Sequence, residues 1–358
     1  LLAATHGRSF WILDDLTQIH QLQRGLGGES SFLLKPGNVI RMPGPRSPVR
    51  PSSGKNYQLA LGANVAYVDS KKANGDIERK LLDAGENPPN GVVVNYFLSE
   101  IPNDGVTLTF SESNGKIIKA FSSEPPQEGS TDPVLKTNTG MNRFVWNMRY
   151  PDAHKVPGDK TTDDSVIGPL APPGVYQVTL TAGDIAQIHE FEIAKDPRVD
   201  ASQEDLQSQF DLLIEVRDSL SETHDYINRL RNIRQQVAQW VDRAKNHSAA
   251  QAVADGAGPI TERLTEIENE LIQVNFTGPG DRLALKTKLN RKLSEISAVA
   301  AAADYRPTEQ LLDVFGDINA RVGVQLQNIR DVETDELPQF MNLVQELDLP
   351  PIIPSSTP

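Results

Sequence analysis

Val175-Tyr176-Gln177-Val178-Thr179-Leu180-Thr181-Ala182 is followed, past Lys195-Asp196-Pro197-Arg198, by Ala201-Ser202-Gln203-Glu204-Asp205-Leu206-Gln207-Ser208-Gln209-Phe210-Asp211-Leu212-Leu213. In the first run Tyr176, Val178 and Leu180 alternate with Gln177, Thr179 and Thr181, the two-residue rhythm of a strand with one face buried and one wetter. After Asp196 the apolar positions become Leu206, Phe210, Leu213, Val216, Leu220, Thr223, Ile227, Leu230, Ile233 or Arg234, Val237 and Val241, spaced by three and four without proline or glycine. That is one long amphipathic helix over 201–245, opening at Ser202 with Asp205 three residues on, an approximate capping box. A sheet module therefore hands over to helices near Asp196.

Toward the amino terminus, strand signals recur at Val92 to Leu98, Val106 to Phe110, Lys116 to Phe121, Arg143 to Arg149 and Gln187 to Ile193. They are rich in β-branched and aromatic residues and bounded by Gly, Pro, Asn and Asp. Ser113-Asn114-Gly115 supplies the Asn-Gly pair that tight hairpins favour. Six or so strands in this stretch, with no helical period between them, predict an antiparallel sandwich. Toward the carboxy terminus, Ile260, Leu264, Ile267, Leu271 and Val274 predict a second helix. Leu285, Leu289, Leu293, Ile296 and Val299 predict a third after Gly278-Pro279-Gly280. A fourth is expected over Leu311 to Ile329 after Arg306-Pro307, and a short last one over Leu337 to Leu347. Short connections between such helices predict an antiparallel bundle. The stripes read as its core, although the 3.5-residue spacing of the first helix also suits a dimeric coiled coil.

The opening is different. Leu1 to Thr5 and Phe10 to Leu13 read as two short strands around His6-Gly7, with Phe10 and Ile12 on one face and Trp11 and Leu13 on the other. An isolated hairpin is marginal in water, so this piece is expected to join a sheet upstream of Leu1, in residues removed or not included. Gly25 to Lys55, rich in Gly, Pro, Ser and Arg, reads as an irregular connector. Beyond it, Leu59 to Val68 suits a strand pair and Asp76 to Ala84 a short helix.

A formal charge of −13, from 48 acidic and 35 basic residues, argues against nucleic acid as a partner and is read as serving solubility. With no cysteine there is no thiol nucleophile, thiolate metal site or disulfide, which says little about compartment. Apolar residues at 38% and charged residues at 23% are those of a chain that folds, and no apolar run is long enough to span a bilayer.

The search for chemistry finds no catalytic, cofactor-binding or metal residues. The acidic pairs Asp14-Asp15 and Asp163-Asp164 are adjacent, and neighbours on a strand point to opposite faces. Glu190 and Glu192 share a face, but one that reads as the wet side of the sandwich. His6, His20, His154, His189, His224 and His247 are scattered, without the four-residue spacing of a helical zinc site. His6 reads as a local turn residue and His224 as a polar or interfacial position. Gly27-Gly28 and Gly278-Pro279-Gly280 are turns; no phosphate loop, dinucleotide fingerprint or Gly-x-Ser-x-Gly occurs. The sequons at Asn246 and Asn275 are not read as functional sites. Trp11, Trp146 and Trp240 fall in patterns that predict burial.

Thr5-His6-Gly7-Arg8-Ser9-Phe10-Trp11-Ile12-Leu13-Asp14-Asp15 resembles the segment that closes the sortilin-like, BNR-repeat propeller of large bacterial exported proteins. The resemblance runs on through Asn87-Pro88-Pro89-Asn90-Gly91, Gly140 to Tyr150, Pro172 to Val178, Lys195-Asp196-Pro197-Arg198, Phe340-Met341-Asn342-Leu343 and Pro350-Pro351-Ile352, covering nearly the whole chain. It implies a multidomain α+β chain: terminal β-propeller strands in 1–24, an irregular packing segment in 25–90, an Ig-like antiparallel β-sandwich in 91–195, an α-helical bundle in 196–349 and a disordered tail in 350–358. It implies an extracytoplasmic protein, in the periplasm, at the cell surface or secreted. The family's glycosyl hydrolase label rests on repeats similar to sialidases, whose acid, nucleophile and arginine cluster have no counterpart here.

The expected function is a non-catalytic binding or scaffold region that braces the propeller, in the same protein or a separate chain, and meets envelope or extracellular proteins. The alternative is an accessory region of a secreted hydrolase of glycans or peptides whose active site lies in the propeller. A third reading is a structural subunit that self-associates through Leu206 to Val241.

Overall fold

A computed structural model describes residues 1–7, 10–13, 16–23, 30–42, 54–60, 63–71, 77–82, 89–125, 132–162 and 166–347. Asp14-Asp15, Asp163-Asp164, Gly27-Gly28 and the tail at 350–358 lie outside the described residues. The chain is mixed α and β. Its contacts divide it into a sheet unit, Leu1–Met148 with Pro173–Asp196, and a helical unit, Arg149–Pro172 with Pro197–Pro358.

In the sheet unit, β1 (Leu2–Ala4) pairs with β2 (Phe10–Ile12). A short helix, α1 (Thr17–Gln23), follows, then β3 (Ser31–Leu33) and β4 (Val39–Arg41). β5 (Gly54–Ala60), β6 (Ala63–Lys71) and β7 (Ile77–Leu81) form an antiparallel meander. The expected strand pair around Leu59 to Val68 is present, but the expected helix over Asp76 to Ala84 is replaced at Ile77–Leu81 by a strand. Its backbone is taken up by pairing with β6 over Tyr67↔Leu81 to Lys71↔Ile77. Tertiary pairing has overridden a weak local preference.

β8 (Val92–Leu98), β9 (Val106–Glu112), β10 (Ile117–Ser122), β11 (Gly140–Trp146), β12 (Gly174–Ala182) and β13 (Ile185–Lys195) complete the strands. One sheet runs β10-β9-β12-β13-β4 and another β11-β8-β3. Among the described residues every strand pairing is antiparallel except β13 with β4, where Ile193, Ala194 and Lys195 lie parallel to Val39, Ile40 and Arg41. The expected alternation holds on β12, where Tyr176, Val178, Leu180 and Ala182 are buried. Asn114-Gly115 turns β9 into β10 with Gly115 at φ 87°, the left-handed conformation that glycine adopts without steric penalty.

The two larger sheets share one aromatic core. Phe110 of β9 stacks on Trp146 of β11 with ring centroids 4.5 Å apart, and Phe121 of β10 meets Phe144 of β11 at 4.6 Å. Tyr176 and Phe191 stack at 6.1 Å, and Phe191 meets Trp146 edge-on at 6.2 Å. Rings at these separations gain about 0.5–1.5 kcal/mol per pair beyond the burial of their surface.

The helical unit is led by α2 (Gln203–Ala244), 42 residues long. The Ser202 side chain accepts from the Asp205 amide while the Asp205 carboxylate accepts from the Ser202 amide, closing the expected capping box. α3 (Ala250–Leu271) begins ten residues before the first residue of its predicted stripe and carries Pro259 inside it. A 3-10 turn at Pro279–Leu283 precedes α4 (Leu289–Ala300), and α5 (Glu309–Asp331) passes through a π-helical turn at Val332–Glu336 into α6 (Leu337–Glu346). Leu213, Val216, Leu220, Ile227, Leu230 and Val237 of α2 are buried in one core with Leu264 and Leu271 of α3, Leu293 of α4 and Val322 and Ile329 of α5. The stripe of α2 is thus covered within its own unit.

The stretch 149–172, assigned by the sequence to the sheet domain, clusters with the helices. Ala153, Val156 and Val166 join the helical core, and the loop closes on itself through an Arg149–Leu170 bridge. One stripe of α2 grips its backbone. Arg217 donates to the carbonyl of Pro151 at 3.1 Å, Ser221 accepts from the amide of His154 at 3.2 Å, His224 bonds the carbonyl of His154 at 2.6 Å, and Asn228 donates to the carbonyl of Lys155 at 3.1 Å. Residues three, four and seven apart share a helix face, so α2 presents this row in register with an extended loop.

Candidate interaction surface

The β1–β2 hairpin carries several large exposed apolar side chains. Its register sets Leu2 opposite Ile12, Ala3 opposite Trp11 and Ala4 opposite Phe10. Successive strand residues alternate faces, so Leu2, Ile12, Ala4 and Phe10 share one face and Ala3 and Trp11 the other. Phe10, Trp11, Ile12 and Leu2 are 73%, 65%, 67% and 63% exposed. Burial was the expectation for Trp11; the structure places it at the surface, because two three-residue strands cannot cover their own side chains.

The hairpin is closed at its open end by the Leu13 amide, which donates to the carbonyl of Leu1 at 2.8 Å. The turn contains Gly7 at φ 76°. No third strand pairs with β1 or β2 among the described residues. Ile19 of α1 adds a further exposed apolar side chain. Phe10, Ile12 and Leu2 would each contribute about 1.5–3 kcal/mol if taken fully out of water, more than most pairs of exposed polar groups supply.

Among the polar residues weighed from the sequence, the structure brings His224 onto the main chain of His154. Glu190 and Glu192 are exposed on β13, where Gln177 donates to Glu190 at 3.3 Å and Asn38 donates to Glu192 at 3.1 Å. His6 and His20 are exposed, His189 meets the carbonyl of Leu33 at 3.1 Å, and His247 sits in a turn against the Ala249 amide. His154 is exposed and lies 2.9 Å from the Asp225 carboxylate. Among the described residues no three His, Asp or Glu side chains converge in a way that could hold a metal ion. No described helix is long and apolar enough to cross a membrane.

His224, expected at a polar or interfacial position, lies where α2 meets the loop at 149–172. It is fully buried, and burial pushes its imidazole below the ordinary histidine range. The carbonyl of His154 only accepts, so Nδ1 carries the proton and Nε2 is bare; Nε2 has no hydrogen-bond partner among the described residues. The signal was in the sequence: His224 lies seven residues from Arg217 and four from Asn228, on the stripe that binds the loop. A periodicity search restricted to apolar residues passes over it.

Comparison with protein-family models finds no match, and comparison with curated proteins finds none.

Proposed function

We propose that this chain is a non-catalytic, extracytoplasmic binding or scaffold region of a sortilin-like β-propeller protein, whose opening hairpin completes a propeller sheet. The observation that carries the reading is the β1–β2 hairpin, apolar on both faces and exposed on both, with each strand lacking a neighbour on one edge among the described residues. A strand edge with large apolar side chains is a template for pairing with another sheet, and a propeller blade supplies such an edge.

Two further features support the rest of the assignment. Two sheets around a shared aromatic core, with Trp146 at its centre, suit an Ig-like sandwich. The helical unit, whose long helix has its apolar stripe covered, suits a bracing role better than self-association through Leu206 to Val241.

The test mixes the chain with a propeller fragment lacking its closing strand and measures association by titration calorimetry. Binding that is lost on Phe10→Ser and Ile12→Lys supports the proposal. A stable chain with no affinity for the fragment overturns it. Glycan or peptide hydrolysis by the joined protein that falls when this region is deleted would favour the accessory-hydrolase reading instead.

A further inference from the structure

Residues 151–157 lie along the middle of α2, held by a row of its side chains. Arg217, Ser221 and Asn228 take Pro151, the His154 amide and Lys155, and Arg231 reaches the carbonyl of Pro157 at 3.5 Å. These four are half-buried; His224, between them, is 0% exposed. Arginine, serine and asparagine keep one charge state across the neutral range. Of the side chains that grip this stretch of main chain, His224 alone is of a type that titrates between about pH 5 and 8.

A second proton on His224 goes to Nε2, which is buried and has no partner among the described residues. The result is a charge taken from water and a donor without an acceptor, and each is costly. The charged groups that face the ring are Asp159 and His154 of the loop and Asp225 of α2. Asp159 already accepts from the Thr161 amide and hydroxyl, both at 2.7 Å, and from the Thr162 hydroxyl at 2.5 Å. Asp225 is 55% exposed at its side chain and lies 2.9 Å from Nδ1 of His154. Two turns away on the same face, Arg217 pairs with Asp218, and Arg231 pairs with Glu268 of α3. Burial outweighs the two aspartates and holds the imidazole below the ordinary histidine range. Lifting 151–157 would hydrate the ring without undoing the rest of the loop. Asn290 of α4 donates to the Thr161 hydroxyl at 3.0 Å and Arg291 donates to the Thr161 carbonyl, so the next stretch has its own anchor.

We propose that residues 151–157 form an acid-released clasp: a proton gained at Nε2 of His224 frees them from α2 and bares Ala153 and Val156, while Thr161 stays on α4. The loop is the segment by which the chain leaves the sheet unit at Arg149 and returns to it at Pro173, so acid would loosen the chain at that passage and uncover apolar surface there. Local openings of this kind occur well below the free energy of global unfolding. The inference is independent of the hairpin reading, since every residue involved lies in the helical unit.

Hydrogen–deuterium exchange of the full chain, read by mass spectrometry at about pH 7.5 and 5.5 and corrected for the intrinsic rates, tests it. In the opened form the ring meets water and titrates near 6.5, whereas in the closed form it stays neutral to lower pH. The opening constant of 151–157 should therefore rise by up to about tenfold on acidification, with α5 unchanged. His224→Gln keeps a donor for the His154 carbonyl and cannot take up a proton, so the rise should vanish. His154→Gln keeps that carbonyl and removes the exposed partner of Asp225, so the rise should persist; this variant decides the matter if His224→Gln fails to fold by circular dichroism. No rise in the unaltered chain, an equal rise in α5, a rise retained in folded His224→Gln, or a rise lost in His154→Gln overturns the proposal.

Discussion

Nδ1 of His224 lies 2.6 Å from the main-chain carbonyl of His154, and Nε2 of the same ring is buried with no partner among the described residues. Protonation would place an N–H donor where nothing accepts it, and burial lowers the pKa of the folded state for that reason. The unfolded chain, with a pKa near 6.5, then binds more protons than the folded chain at mildly acid pH. The stabilising difference is fully present above that value and is lost as pH falls below it, toward the depressed folded pKa. Melting temperature should drop between pH 7 and pH 5, and His224→Gln should flatten that part of the profile.

Of the three tryptophans, Trp11 is 65% exposed and Trp146 fully buried. Collisional quenching by acrylamide should therefore reach Trp11 readily and spare Trp146. Trp240 is partly buried, so Trp11→Phe should remove the most readily quenched part of the emission while changing stability by about 0.5 kcal/mol or less, as surface substitutions do.

Gly168 needs its missing side chain for space. A Cβ there would stand 1.9 Å from the carbonyl oxygen of Tyr150 and 2.5 Å from that of Pro151. Gly168→Ala should destabilise by about 1–3 kcal/mol or more, because main-chain atoms cannot step aside as a flexible side chain can. At Gly158, with φ 78° and nothing within 4 Å of a Cβ, alanine should cost only about 1 kcal/mol. Urea denaturation of both variants makes the comparison.

Glu268, on α3, is 4% exposed at its side chain and accepts from Arg231 at 2.6 Å and Arg234 at 2.7 Å, both on α2. Removing the carboxylate leaves two guanidinium groups that can still turn toward water, since they are 33% and 30% exposed. Glu268→Ala should therefore cost about 1–3 kcal/mol, less than breaking a wholly buried pair. The double change with Arg231→Ala should cost less than the sum of the single changes, measured as a thermodynamic cycle.

The change of rhythm at Asp196 was legible because both sides of it are long and regular: β12 alternates strictly and α2 runs 42 residues without proline or glycine. The cap at Ser202 and the Asn114-Gly115 turn were legible because each is a local motif with its own chemistry. Ile77–Leu81 was misread as helix because a five-residue strand leaves little period to detect, and its state is decided by β6. The parallel pairing of β4 with β13 joins residues more than 150 positions apart and leaves no local trace. Trp11 was expected inside because its neighbours look like a core strand; with two short strands there is no interior for it.

The path of the chain out at Arg149 and back at Pro173 bears on how the protein is made. When the ribosome adds Pro172, the segment holding Ala153, Val156 and Val166 has been made, yet the helix whose Arg217, Ser221, His224 and Asn228 will hold it has not been synthesised. β12 and β13, at the middle of the five-stranded sheet, also emerge later than its earlier members. Nascent chains of this protein therefore carry apolar surface of the helical unit until α3, α4 and α5 have been made, and that interval is when a holding chaperone would be needed.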